Sequence, residues 1–264
     1  MSNQKTTSGG FNFMSAILAI IVALIISELF FHLFCGSPMH FDAEGHPING
    51  NFWGTMYKGG FVVPLLITIL LTIVIFSIER LITISKAKGK GNVTAFVRSI
   101  QTFVTNNQFE EAIAACNKQE GSLANVVHSG VEKLAQINND ASMDKESKVA
   151  AIQKEIEEAT SLELPMLSKN LVIISTCATI ATLGGLVGTV LGMIRSFAAL
   201  AQAGAPDTTA LATGISEALI NTLVGIVSSI IGIVMYNYFS TRVDAITYSM
   251  DEAGFSIIQS VNAK

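Results

Sequence analysis

Glu217 is the residue whose type and place most constrain the chemistry. It is the one charge in an apolar stretch that runs from about residue 208 to 241. Nine residues into a helix, it stands about 14 Å along the axis, near the middle of a bilayer. On insertion scales a charged carboxylate there costs about 2.5–3.5 kcal/mol. It must therefore face a bundle interior, find a partner, or be protonated, because desolvation disfavours the charged form. Asn221 follows at i+4 and Gly225 one turn later, so the three share a helix face. A carboxyl on such a seam is a candidate for handling protons. The bland alternative is a neutral glutamic acid that hydrogen-bonds a neighbouring helix.

A second apolar stretch, 171–194, carries Thr176, Thr179, Thr182 and Thr189 among glycines 184, 185, 188 and 192. A helix absorbs one hydroxyl by bonding it back to its own carbonyls. Four threonines in fourteen residues predict a polar seam that faces protein or water. The spacing Gly184/Gly188/Gly192 predicts close helix packing. Glu28 and His32, at i and i+4 near the end of the first apolar stretch, read as an interfacial pair.

Nothing else in the sequence resembles a catalytic constellation. There is no GxxxxGK[ST], HExxH or GxSxG. Cys35, Cys116 and Cys177 lie far apart without ligand spacing and read as small packing residues. His128 stands alone on an amphipathic helix, and Glu155, Glu157 and Glu158 read as a solvated face. Neither a cofactor nor a metal is expected, and the net charge of −4 gives no reason to expect nucleic-acid binding.

The elements that must position these residues follow from how charge is distributed. Half of the 264 residues are hydrophobic, only 14% are charged, and the mean hydropathy is +0.52. Of the 36 charged residues, 23 fall between Glu79 and Lys169. Apolar stretches thus surround one polar domain, which excludes a disordered chain and most soluble enzymes. A span needs about 20 apolar residues, and 13–35, 61–78, 171–194 and 208–241 qualify or nearly do. The first is longer than a signal-peptide core and has no small-x-small site after it, so it reads as a retained span. Residues 39–57 are polar, Gly-rich and Pro-containing and read as an external loop.

Basic residues set the orientation. Arg80, Lys86, Lys88 and Lys90 crowd after the second span, whereas 36–60 holds only Lys58. The polar domain and both termini are therefore expected in the cytoplasm. Arg195 is the exception, at the outer end of the third span, where it is expected to snorkel to the interface. The expected order is a tail 1–12, a first span 13–35, an outer loop 36–60, a span 61–78 and a cytoplasmic helical domain 79–170. A span 171–200, an outer turn 201–207 with Asp207 as helix cap, a span 208–241 and a C-terminal helix 242–264 follow. Within the domain, 93–104 has strong helical periodicity, and 109–116 and 123–137 repeat it more weakly. From Asp144, Val149, Ile152, Ile156, Ala159, Leu162 and Met166 form a stripe. With no stop signal up to 176, one continuous helix from 144 to 200 is expected, kinked at Pro165.

At these residues a resemblance becomes visible. Residues 183–197, LGGLVGTVLGMIRSF, resemble a span of the ExbB/TolQ proton-channel proteins of the MotA/TolQ/ExbB superfamily. GISEALINT at 214–222 and Tyr236-Asn237 resemble their last span. The match is specific over 160–245 and does not cover 1–55, where the extra first span exceeds the three-span family plan. The related flagellar motor subunits lack a glutamate at the position of Glu217, which favours the ExbB/TolQ branch. Thr182 stands where the family often has Pro, and Arg195 where it has Asn or His.

The resemblance implies an all-α integral protein of the bacterial inner membrane, assembled as a homopentameric ring in contact with membrane lipids. By their polarity, the third and fourth spans, which hold the Thr, Asn, Ser and Glu, are expected to line the pore and the first two to face lipid. The resemblance also implies a single-span partner of the ExbD/TolR type inside that pore and a TonB-like or TolA-like energy transducer. The proton-motive force would be turned into work on an outer-membrane system, without enzyme chemistry. The pore positions carried over are Glu217, Thr222 and Thr189, with Asn221, Thr182 and Arg195 as further seam candidates. An ExbB-like transport role is expected, with a TolQ-like envelope role or a non-conducting scaffold as the alternatives.

Overall fold

The computed structural model describes residues 13–48, 50–138, 143–201 and 208–262. The tail 1–12 and the Asp207 cap lie outside them. The described residues are almost wholly helical, with one isolated bridge between Phe41 and Pro47. Four of the helical stretches are long and apolar enough to cross a membrane: Met14–Cys35, Val62–Ala87, Lys145–Ala201 and Leu211–Val261. The chain divides into two compact units. One holds 79–169 and 238–264, the other 11–78 and 170–237.

The apolar unit begins with α1, Phe13–Leu29, which continues as a π turn over Phe30–Cys35. α1 is apolar all round, and Met14, Leu18, Ile25 and Leu29 are exposed, as in a helix solvated by lipid. It is tied down at Ser27, whose Oγ donates to the carbonyl of Pro64 at 2.5 Å. The stretch 39–57, read from the sequence as an external loop, is folded into a cap. It has a short turn at Pro38–His40 and a helix α2, Phe52–Lys58. The Asn51 side chain accepts from the amides of Trp53 and Gly54 and caps α2. Phe30, Phe34 and Trp53 stack above it. α3, Val62–Ala87, follows a tight Gly59-Gly60 turn. Phe31, Cys35 and Met56 pack with Val63 and Leu66 of α3 and with Ile220 and Val224.

The polar unit is built from α4, Val93–Thr105; α5, Phe109–Gln119; α6, Gly121–Asn138; and α7, Lys145–Ser168. On α4 the expected stripe is buried through Phe96, Val97, Ile100 and Val104. Cys116 is buried in α5, and burial pushes its thiol up to about 12. His128 pairs with Glu132 at 3.6 Å. Ile156 of α7 packs against Gly130 of α6, where a Cβ would lie 2.8 Å from it. Phe239, Val243, Ile246, Met250, Ala253 and Ile257 complete the core at alternating steps of four and three.

The expected continuous helix from 144 to 200 is two helices. α7 holds Pro165 without ending there and stops at Ser168. Lys169 is extended (ψ 141°), and Asn170 is left-handed at φ 64°, a conformation that Asn tolerates better than most residues. α8, Leu171–Ala201, starts afresh. The α7 stripe also stops short. Leu162 and Met166 are exposed, and Leu167 is buried in their place. The reason is Arg80, whose side chain has no solvent exposure. It grips Glu79 with two hydrogen bonds, of 2.7 and 2.5 Å, and donates to the carbonyls of Met166 and Leu167 at 3.2 and 3.3 Å. It thereby satisfies carbonyls at the end of α7 that have no helical partner. The last element, α9, runs without interruption from Thr208 to Asn262.

Candidate functional site

Within the apolar unit, α8 buries Leu171, Ile174, Ala178, Ala181, Gly185, Gly188, Gly192 and Ser196, at alternating steps of three and four until the final four. Most of these residues are small, so α9 approaches to backbone distance. A Cβ on Gly192 would lie 2.8 Å from the carbonyl of Gly214, and one on Gly225 would lie 2.6 Å from the carbonyl of Ala181. The packing glycines are thus 185, 188 and 192 rather than 184, 188 and 192; Gly184 faces Leu66 of α3 instead. Ser196 is fully buried and donates to the carbonyls of Gly192 and Leu211 at 3.1 and 3.3 Å. Nothing in its sequence context marked it.

This close contact brings several of the expected residues together. The hydroxyls of Thr189 and Thr222 hydrogen-bond each other, and Thr189 also donates to the carbonyls of Gly185 and Ala218 at 3.0 and 3.3 Å. Five residues before Thr222 on α9, the Glu217 side chain is 9% exposed and forms an ion pair with Arg195. Arg195, expected at the outer end of the third span, turns to this carboxylate. It keeps half of its side chain exposed and lies over the ring of Phe61, 5.8 Å from its centroid. Of the possibilities open to a buried carboxyl, the structure selects a partner of opposite charge.

The α2–α3 turn closes the site, and sequence reasoning missed it. Asn221 is fully buried and donates from Nδ2 to the carbonyl of Gly59 at 3.1 Å. Its Oδ1 has no partner among the described residues. Gly60 has φ 75°, and a Cβ there would lie 2.5 Å from Oε1 of Glu217. Only a glycine fits both that backbone conformation and that approach. The adjacent glycines ahead of an apolar run were the signal, though nothing in one dimension linked them to residue 217.

Thr182 is not part of this cluster. With Thr176 and Thr179 it lies on the exposed face of α8, beside Leu183 and Leu186. Thr179 bonds back to the carbonyl of Ser175 at 3.1 Å. Glu28 and His32 pair at 3.4 Å on α1 and the π turn, with both side chains largely exposed.

A buried carboxylate with one cationic partner, an adjoining amide and a pair of coupled hydroxyls is suited to holding and passing a proton. Comparison with known proteins agrees with that chemistry. Residues 118–252 match the model of the MotA/TolQ/ExbB proton channel family, and the chain belongs to this family. It is 28% identical to the Tol-Pal system protein TolQ of Haemophilus influenzae over 208 residues, 74% of this chain and 87% of that protein. It is 28% identical to the biopolymer transport protein ExbB of Pseudomonas putida over 212 residues, 78% of this chain and 62% of that protein. A putative ExbB-like biopolymer transport protein of Synechocystis is 38% identical over 86 residues, 32% of this chain and 41% of that protein.

Proposed function

We propose that the protein is the channel-forming stator subunit of an inner-membrane motor that uses the proton-motive force to energise an outer-membrane process, in the manner of ExbB. The observation that carries this reading is the buried Glu217, paired with Arg195 on the same two helices that carry the hydrogen-bonded Thr189 and Thr222 hydroxyls. Five copies form a ring around the single span of an ExbD- or TolR-type partner, which carries an Asp and acts on a TonB- or TolA-type transducer. Both termini and residues 79–170 lie on the cytoplasmic side. A proton entering from outside neutralises Glu217 or the partner's carboxylate and leaves past Thr189 and Thr222. Neutralising Glu217 also frees Arg195, which then favours a position of the partner that brings another carboxylate to it. A buried charge left unpaired is costly, so each proton changes the preferred position, and the partner rotates or rocks.

A second reading is a TolQ-like role in envelope maintenance, supported by a match that takes in 87% of the Haemophilus TolQ against 62% of the Pseudomonas putida ExbB. Loss of TonB-dependent uptake on deletion supports the first role, and detergent sensitivity with intact uptake supports the second.

Glu217→Gln keeps size and hydrogen bonding but cannot exchange a charge. It is expected to assemble at normal levels and to abolish proton-driven work, with Thr189→Val and Thr222→Val weakening it. The measurement is activity in a strain that depends on this complex, with complex abundance followed in parallel. Full activity of Glu217→Gln at normal abundance would remove the proton role and leave a packing scaffold.

A further inference from the structure

Within the polar unit, the lower part of α3, the start of α4, α6 and the lower part of α9 enclose a half-open groove of about 410 Å³. Its floor is apolar and buried, formed by Ile84, Leu123 and Phe239. Its rim carries two exposed cations, Lys88 and Arg242, together with the hydroxyl of Thr94 in the first turn of α4. No carboxylate lines the groove. Among the described residues, neither Lys88 nor Arg242 has a carboxylate within ion-pair distance, whereas Lys90 pairs with Glu120 at 2.6 Å and Lys154 with Glu158 at 3.7 Å. The Arg242 guanidinium lies over the Tyr238 ring, 5.2 Å from its centroid.

This combination selects an amphiphile with an anionic head. Two cations attract a phosphate, while the buried floor needs an apolar cover. The groove also stands at the right level along the chain. Leu81, which lines it, is three residues past the apolar stretch 61–78, and Tyr238 lies inside the stretch 208–241. Basic pockets between membrane-crossing helices, just past the hydrocarbon, suit acidic lipid headgroups. Aromatic residues such as Tyr238 are typical of that level.

We propose that this groove binds an anionic phospholipid of the adjoining leaflet, with the phosphate held by Lys88 and Arg242 and an acyl chain laid along Ile84, Leu123 and Phe239. The site is independent of the Glu217 reading and stands or falls separately from it.

The test uses the full-length protein in detergent micelles doped with phosphatidylglycerol or phosphatidylcholine, with retained lipid counted by native mass spectrometry. Phosphatidylglycerol is expected to be retained in preference. Lys88→Gln and Arg242→Gln are each expected to weaken retention about fivefold, with Lys154→Gln, at a paired and exposed lysine, unchanged. Helicity by circular dichroism checks that the variants are folded. Equal retention of phosphatidylcholine overturns the proposal, as does unchanged retention in the double variant. Full competition by glycerol 3-phosphate makes the site one for free anions and also overturns it. A shift in oligomeric state without loss of lipid means that a second copy of the chain covers the groove, with the same consequence.

Discussion

Arg195 and Glu217 hold each other because neither has a better partner. The carboxylate is almost fully enclosed, while the guanidinium keeps half its surface in contact with the surroundings and spreads over Phe61. Removing the cation leaves a buried acceptor unsatisfied. Arg195→Gln is therefore expected to destabilise the detergent-solubilised protein by about 1–3 kcal/mol. In Arg195→Gln/Glu217→Gln the two amides replace the pair, so the double variant is expected to lose less than the sum of the single losses. Thermal unfolding of the four proteins closes the cycle, and strictly additive losses would mean that the pair contributes nothing. Much of this site was legible in one dimension. Glu217 and Asn221 lie on one helix at i and i+4, and their spacing placed them together, whereas Thr222 was marked by the family resemblance. Arg195 was visible as a charge out of place, but its pairing depends on the inter-helix register that Gly185, Gly188 and Gly192 create. Thr182, a further seam candidate by its type, lies on the exposed face of α8, away from the Thr189–Thr222 contact.

α7 and α8 show where helix periodicity stops being informative. The run from Asp144 onward has an apolar stripe and no glycine, and its one proline is tolerated. The actual break is made by Asn170 in a left-handed conformation and by Arg80, 86 residues away from Met166 in sequence. A stop imposed by a distant side chain leaves no local signal. The cap escaped for a different reason. A seven-residue helix held by edge-on ring contacts is too short to show a period. By contrast, α4 carries its own pattern and came out as expected. If Arg80 ends α7, then Arg80→Met takes the cation from Glu79, which keeps the Thr83 hydroxyl at 3.1 Å, and removes the donor from the two carbonyls. Breaking a buried pair in this way costs about 3–5 kcal/mol. A fall of that size is expected in unfolding experiments on the purified protein, together with faster proteolysis near residue 168. An unchanged midpoint would show that α7 ends without help.

The charge asymmetry that suggested an orientation concerns the whole chain, and it makes a prediction at that scale. Glu44 in the cap and Lys154 in α7 are both well exposed, so a cysteine at either position can react with a reagent on its own side. Glu44→Cys is expected to be labelled by an impermeant maleimide added to whole spheroplasts. Lys154→Cys is expected to be labelled only after lysis, and the reverse pattern would invert the topology. Cys116 adds no background, because burial keeps its thiol protonated, at about 12. The cap has one more property. Trp53 is the one tryptophan of the chain, and its indole sits edge-on to Phe30 and Phe34, 5.8 and 5.2 Å between centroids, where the first helix ends. All indole fluorescence from the molecule therefore originates at the seam between the first helix and the cap. Undocking of that helix changes the surroundings of the single emitter, so the protein carries a native dye at this joint.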